Sequence, residues 1–236
     1  MKTLVVMNEK GGVDKTTLAA HAGWYFAERH RALVIDLDQQ ANLTVTLGAH
    51  LAAVDSVELF AEVTSVAPIG SLTATRSTRE LLGVEGADRA CIETFRDSLF
   101  SMASDYDVCI IDTSPALTNL TFAALLAADA VLAPVGINDY SLQGVAEQLR
   151  AIKGVSTYYG RAEPQFLGLL PSIFEDLAGQ VGQLLFAGIV AKRDSYARAA
   201  SEGAPVWRMK GAPAREASQE IRSVLGVITD KMALNP

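Results

Sequence analysis

The 236-residue sequence holds only two cysteines, Cys91 and Cys109, and three histidines, His21, His30 and His50. None of these stands at metal-ligand spacing from another, so no zinc site is expected. Cys109 falls inside an apolar run, which suits a buried reduced thiol better than a disulfide. Long hydrophobic runs are missing as well. The N-terminal stretch "TLVVM" (3–7) is too short for a membrane span or a signal-peptide core, so the expectation is a soluble, cytoplasmic protein. Internal repeats, low-complexity tracts and linkers are also absent. With hydrophobic residues making up 50% of the chain, a single domain over 1–236 with a well-buried core is the simplest count.

An overall excess of positive charge is lacking too, since the net charge is −7. The distribution is uneven. Between 191 and 222 stand seven basic residues (Lys192, Arg193, Arg198, Arg208, Lys210, Arg215, Arg222) against four acids, so this window is +3 and the remainder −10. Such asymmetry directs an anionic partner to one end of the molecule, and a merely solvated helical face is the alternative reading.

What is present in quantity is a set of short apolar runs alternating with helical patterns, the signature of βαβ units and a parallel sheet flanked by helices on both faces. Strands are expected at "TLVVM" (3–7), "ALVID" (32–36), "DVCIID" (107–112), "AVLAPV" (130–135), "QFLGLL" (165–170) and "AGIVA" (187–191). A helix is expected through "TTLAAHAGWYFAER", with Leu18, Ala22, Tyr25 and Phe26 on one face, and a closing helix over 213–228 with proline in its first turn. Residues 50–85 show no strong period and read as a variable surface excursion; 154–164 read as a loop.

Between the first strand and first helix stands "EKGGVDKTT" (9–17). A glycine-rich turn opening a helix offers successive N–H groups and a positive dipole end to phosphate. Gly11 and Gly12 allow close approach, Lys15 suits the β- and γ-phosphates, and Thr16 suits Mg²⁺. The common pattern G-x-x-x-x-G-K-[ST] is not met, because Glu9 and Asp14 occupy its glycine positions.

A variant form is met. The loop resembles that of the ParA/MinD family of deviant P-loop ATPases, KGGxGK[ST], with its additional signature lysine at Lys10. "VIDLDQQANLT" (34–44), "YDVCIIDTSPALTNLTFAALLAADAVLAPV" (106–135), "YSLQGV" (140–145) and "SEGAPVW" (201–207) also resemble family segments, particularly in short plasmid-partition ParA proteins. The resemblance implies ATP and ADP as ligands, with Mg²⁺. Residues Lys10, Gly11, Gly12, Val13, Asp14, Lys15, Thr16 and Thr17 would surround the nucleotide, Lys10 reaching the partner's nucleotide in an ATP-dependent homodimer. Lys10, Lys15 and Asp38 would be catalytic, Asp38 positioning the attacking water, and Thr16, Asp36 and Asp112 would serve the metal. Asp36 and Asp38, two apart on an extended segment, are expected to point the same way.

The implied function is DNA partition: a dimer binding DNA without sequence preference through Lys192, Arg193 and Arg215, associated with the nucleoid and stimulated by a ParB-like centromere-binding protein. A MinD-like membrane switch needs a basic amphipathic C-terminal helix. The ending "SVLGVITDKMALNP", with one lysine and one aspartate, does not supply it, and stable membrane binding is not expected. An iron–sulfur electron-transfer role is poorly matched by two separated cysteines.

Three departures from the family pattern stand out: Asp14 for glycine, Gln39 for proline and Ala41 for glycine. Asp14 brings backbone strain of about 1 kcal/mol if its φ is positive. It also brings a carboxylate beside phosphate, worth roughly 3 kcal/mol of repulsion at about 5 Å and an effective dielectric of about 20. Gln39 and Ala41 alter loop stiffness rather than charge. A nucleotide-impaired scaffold is therefore a further reading.

Overall fold

The computed structural model describes residues 1–135, 142–171 and 184–234. Seven strands form one sheet in the order β3-β4-β2-β5-β1-β6-β7, and every neighbouring pair is parallel. The strands are β1 (Lys2–Val6), β2 (Ala32–Leu37), β3 (Leu51–Asp55), β4 (Leu72–Arg76), β5 (Val108–Thr113), β6 (Ala130–Val135) and β7 (Gln165–Pro171). The described helices are α1 (Lys15–Phe26), α2 (Asn42–Thr46), α3 (Glu58–Ala61), α4 (Leu81–Glu85), α5 (Ala90–Ser101), α6 (Asn119–Ala127), α7 (Leu142–Tyr158), α8 (Asp194–Ser201) and α9 (Ala212–Lys231).

Strands β2, β5 and β6 are buried along their whole length, as expected where helices cover both faces of a parallel sheet. Side chains alternate between two cores. Leu4, Val6, Val34 and Ile110 pack against α1, α8 and α9, whereas Val5, Leu33, Ile35 and Ile111 face the core of α5 and α6. Helix α1 is buried on nearly every side rather than along one stripe, because α8 and α9 cover its outer surface. Its seat on β2 is close: a Cβ at Gly23 would lie 2.7 Å from Val34 Cγ2.

Three expectations need correction. Residues 50–85 are not a surface excursion, since they supply β3 and β4 to the sheet and bury Leu59, Phe60, Val66, Leu72 and Ala74. Their strands are only five residues each, and β4 alternates apolar residues with threonine, so periodicity alone did not reveal them. "AGIVA" (187–191) is not a strand; among the described residues, pairing beyond β7 is an isolated bridge between Leu169 and Leu185. The loop expected over 154–164 starts later, because α7 continues to Tyr158. Of "YSLQGV", Tyr140 and Ser141 lie outside the described residues.

Candidate nucleotide site

Adjacent strand ends assemble the site. In the sheet β5 lies between β2 and β1, with Asp36 in register beside Asp112 and Val6 beside Asp112. The loop after β1, the loop after β2 and residues 114–116 after β5 therefore converge at the C-terminal edge, where open α/β sheets bind ligands. They line a cavity of about 740 Å³ with residues 11–17, Asp38, Gln39, Gln40, Ser114, Pro115 and Ala116, to which Val45, Thr46, Glu85, Ala200 and Ser201 also contribute.

The glycine loop is braced from below. Asn8 Nδ2 donates to Pro134 O at 2.6 Å, and Asn8 Oδ1 accepts from Lys10 N at 3.0 Å and Gln148 Nε2 at 3.2 Å. Lys15 Nζ donates to the carbonyls of Asn8 and Lys10, each at 3.0 Å, closing the loop around its own ammonium. Burial lowers the Lys15 pKa, opposed by Asp112 and Asp38. Gly12 has φ +77°, and a Cβ added at Gly11 or Gly12 would meet no atom within 4 Å. The loop thus faces open space where a phosphate would lie.

Thr16 Oγ1 donates to Asp112 Oδ2 at 2.7 Å, while Asp112 Oδ1 is buried without a hydrogen-bond partner. Burial, with Asp36 alongside, raises the Asp112 pKa well above the carboxylate range. An orphaned carboxylate oxygen beside a threonine hydroxyl is a donor set that suits Mg²⁺. No cluster of three or more His, Cys, Asp or Glu among the described residues is arranged to hold a metal ion.

Asp36 and Asp38 diverge, contrary to expectation. Asp38 lines the cavity. Asp36 is buried, and its carboxylate accepts Asp38 N at 3.0 Å, Thr44 N at 2.8 Å and Thr44 Oγ1 at 2.7 Å. The chain leaves β2 after Leu37, which breaks the alternation. Asp36 thereby fixes the start of α2, and burial pushes its pKa up to about 6 despite those hydrogen bonds.

Both glycine departures keep the glycine conformation. Asp14 has φ 63° and ψ 24°, and Ala41 has φ 54° and ψ 28°. Each precedes a helix without a capping side-chain hydrogen bond. The Asp14 carboxyl is raised by burial and lowered in part by Lys192, so its charge lies within influence of the C-terminal basic segment.

That segment is tied to α1 by His21. Its Nδ1 lies 2.8 Å from Thr17 O, its Nε2 accepts Val206 N at 3.2 Å, and its ring packs edge-on against Trp24, Tyr196 and Trp207. Among the expected DNA contacts, Lys192 and Arg215 are exposed. Arg193 is instead occupied by Glu220, at 2.5 Å, and Glu216, at 2.9 Å. Arg222 is likewise engaged, pairing with Glu28 at 2.5 Å and stacking 4.2 Å from the Trp207 ring centroid. Arg208 and Lys210 are exposed basic residues on the same segment.

Residues 1–162 match an AAA domain family. Protein IncC of Escherichia coli is 34% identical over 264 residues, covering 100% of this chain and 71% of the relative. The chromosome-partitioning ATPase Soj of Thermus thermophilus is 30% identical, with 86% of each chain covered. A solved ATP complex of a McdA variant from Cyanothece shares the fold, with a TM-score of 0.79 over 100% of this chain and 98% of that one, at 22% identity.

Proposed function

From the premise that the chain belongs to the ParA/MinD-type AAA-domain family of ATPases, we propose that it is a DNA-partition ATPase whose ATP-bound homodimer binds DNA without sequence preference. A ParB-like centromere-binding protein is the partner that stimulates release. The observation that carries the reading is the pairing of Thr16 with the half-satisfied Asp112 beside Lys15, in one cavity with Asp38.

In this reading the loop N–H groups and Lys15 bind the phosphates, the ammonium exchanging loop carbonyls for phosphate oxygens. Thr16 and Asp112 would hold Mg²⁺, which would supply neutralisation of phosphate charge. Asp38 orients the attacking water. Lys10 is exposed and outside the lining of its own cavity, which supports a role at a second subunit's nucleotide. Preorganised positive charge around a developing phosphate charge is the main source of such catalysis.

The DNA surface comprises Lys192, Arg208, Lys210 and Arg215, doubled in a dimer. Several weak phosphate contacts then act together, with steep salt dependence. Removing the charges of Lys192 and Arg215 should weaken binding to two unrelated duplexes alike and flatten the salt slope by roughly one unit per lost phosphate contact. Arg193→Ala should act mainly on stability, through Glu216 and Glu220. Unchanged DNA affinity in Lys192→Ala/Arg215→Ala, measured by filter binding over a salt series, would return the window to a solvated face.

Asp14 favours a second reading, a scaffold impaired in nucleotide use. The membrane alternative loses support from α9, whose apolar residues Ile221, Val224, Leu225 and Ile228 are packed into the core. No described helix is long and apolar enough to cross a membrane.

A further inference from the structure

One wall of the cavity comes from α4 rather than from the loops at the strand ends. Glu85, the last residue of α4, lines the cavity together with Asp38 and Gln39. Its Oε1 accepts Gln39 Nε2 at 2.7 Å, and both residues are half-buried. Gln39 follows Asp38 directly. The carbonyl of Asp38 accepts Ser77 Oγ at 2.7 Å, and its amide is held by Asp36. The loop is therefore fixed at Asp38 from the β4 side and at Gln39 from the α4 side.

The α4 anchor is itself rigid. Leu81 and Val84 are buried, and Asn119 at the start of α6 donates through Nδ2 to Val84 O at 2.9 Å and Ala87 O at 3.0 Å, on either side of Glu85. Asn119 is buried at 9% exposure, and α6 follows the 114–118 loop that contributes the facing wall. Glu85 is thus clamped to the same framework that carries Asp112.

The loop has reason to need this tether. Ala41 holds a left-handed conformation that a non-glycine residue resists. Gln39, standing where the resembling family carries proline, has no ring to restrict its backbone. Without a second anchor the strained turn gains freedom to relax, and Asp38 moves with it.

We propose that Glu85 is a positioning residue for the Asp38 loop, acting through its hydrogen bond to Gln39. The catalytic consequence rests on the ATPase reading above; the tether itself does not. A side-chain hydrogen bond fixes what the missing proline ring does not, and couples α4 to the site.

The test compares Glu85→Ala, Gln39→Ala, the double variant and Glu85→Gln. Amide hydrogen exchange of residues 38–41 in nucleotide-free protein is measured beside ATP turnover with Mg²⁺. Each alanine variant should exchange faster at 38–41, by about tenfold for one lost charge-assisted hydrogen bond, with little further change in the double variant. Turnover should fall mainly in kcat, with KM little changed, because Asp38 and not the phosphate loop is displaced. Glu85→Gln keeps a carbonyl acceptor and should restore both readouts.

Unchanged exchange in Glu85→Ala overturns the proposal. So does a turnover defect in Glu85→Gln as large as in Glu85→Ala with exchange normal, which would assign Glu85 a direct role through its charge. Absence of ATP turnover in every protein, parent included, would count against the ATPase reading, and the exchange pattern would still decide the tether.

Discussion

Replacing Asp14 separates two effects that coincide at one residue. Its φ of 63° and ψ of 24° place it in the left-handed region, where a non-glycine residue costs about 1 kcal/mol, somewhat less for aspartate than for most. It also lines the cavity beside Lys15 and Thr16, where one charge pair at about 5 Å and an effective dielectric of about 20 repels by roughly 3 kcal/mol. Asp14→Gly removes both. Its effect on folding should be small, because glycine returns freedom worth about 0.4–1 kcal/mol to the unfolded chain. Nucleotide affinity should tighten at least tenfold, about 1.4 kcal/mol.

Asp14→Asn keeps a residue that tolerates the left-handed region and removes only the charge, while Asp14→Ala removes the charge and keeps the strain. If repulsion dominates, both should approach the glycine variant in titrations with a fluorescent ATP analogue, and Asp14→Ala alone should unfold at lower denaturant. pH supplies an internal check. Burial raises the Asp14 pKa, so lowering the pH neutralises it sooner than an ordinary carboxyl. The affinity ratio between the glycine variant and the parent should therefore shrink as pH falls, the ionisation of ATP cancelling in the ratio. Recovery in glycine alone, with Asn and Ala as weak as Asp, would refute the electrostatic reasoning. Equal affinities in all four proteins would remove Asp14 from nucleotide recognition altogether.

In a background that binds ATP, Lys10→Ala should retain monomer binding and lose ATP-dependent dimerisation in sedimentation, whereas Lys15→Ala should lose binding itself; an undiminished dimer from Lys10→Ala would exclude the shared-nucleotide arrangement. His21 gives a prediction for acid stability. Burial pushes its pKa from 6.5 down to about 4, so the unfolded chain binds a proton that the folded one refuses between those values. Stability should fall by about 3 kcal/mol as pH drops through that window. His21→Gln, measured by denaturant unfolding across the same range, should lack this component, while the opposite contributions of Asp36 and Asp112 persist in both proteins and cancel in the difference. An identical pH slope in the two would mean that His21 is not held neutral.

Much of the site was legible because its parts are bound to strand ends. β1 and β5 contain continuous apolar runs, so the residues that follow those runs, "EKGGVDKTT" and Asp112, are placed at one edge by the sequence alone. Legibility failed where contacts join distant segments. Glu85 carries no local signal, and its part depends on Gln39, 46 residues away. His21 reads as one more residue of an apolar helix, yet its ring lies against Thr17 O and accepts from Val206, 185 residues farther on. The basic window was visible, but not which charges were already neutralised, since Arg193 and Arg222 find their carboxylates only on folding. The strands at 51–55 and 72–76 were missed because each is only five residues long: β3, at the sheet edge, pairs on one side alone, and β4, paired on both sides, buries two threonines that interrupt its apolar pattern.

The departures at 14 and 41 show which level of organisation determines the loops. Both positions hold positive φ without glycine, so the residue's own preference is overruled by what surrounds it. At 14 the surroundings are the braces of Asn8 and Lys15 behind the loop and the fixed start of α1 ahead of it. At 41 they are Asp36 on Thr44, Ser77 on Asp38 and Glu85 on Gln39. Strain persists only where neighbours over-determine the conformation. The same contacts that tolerate a side chain at each position therefore define the geometry a nucleotide would meet. At 41 an apolar methyl adds strain without charge, so the loop that carries Asp38 keeps its form. At 14 the conformation is preserved and a carboxyl group is added, so the Asp14 variants test charge rather than shape.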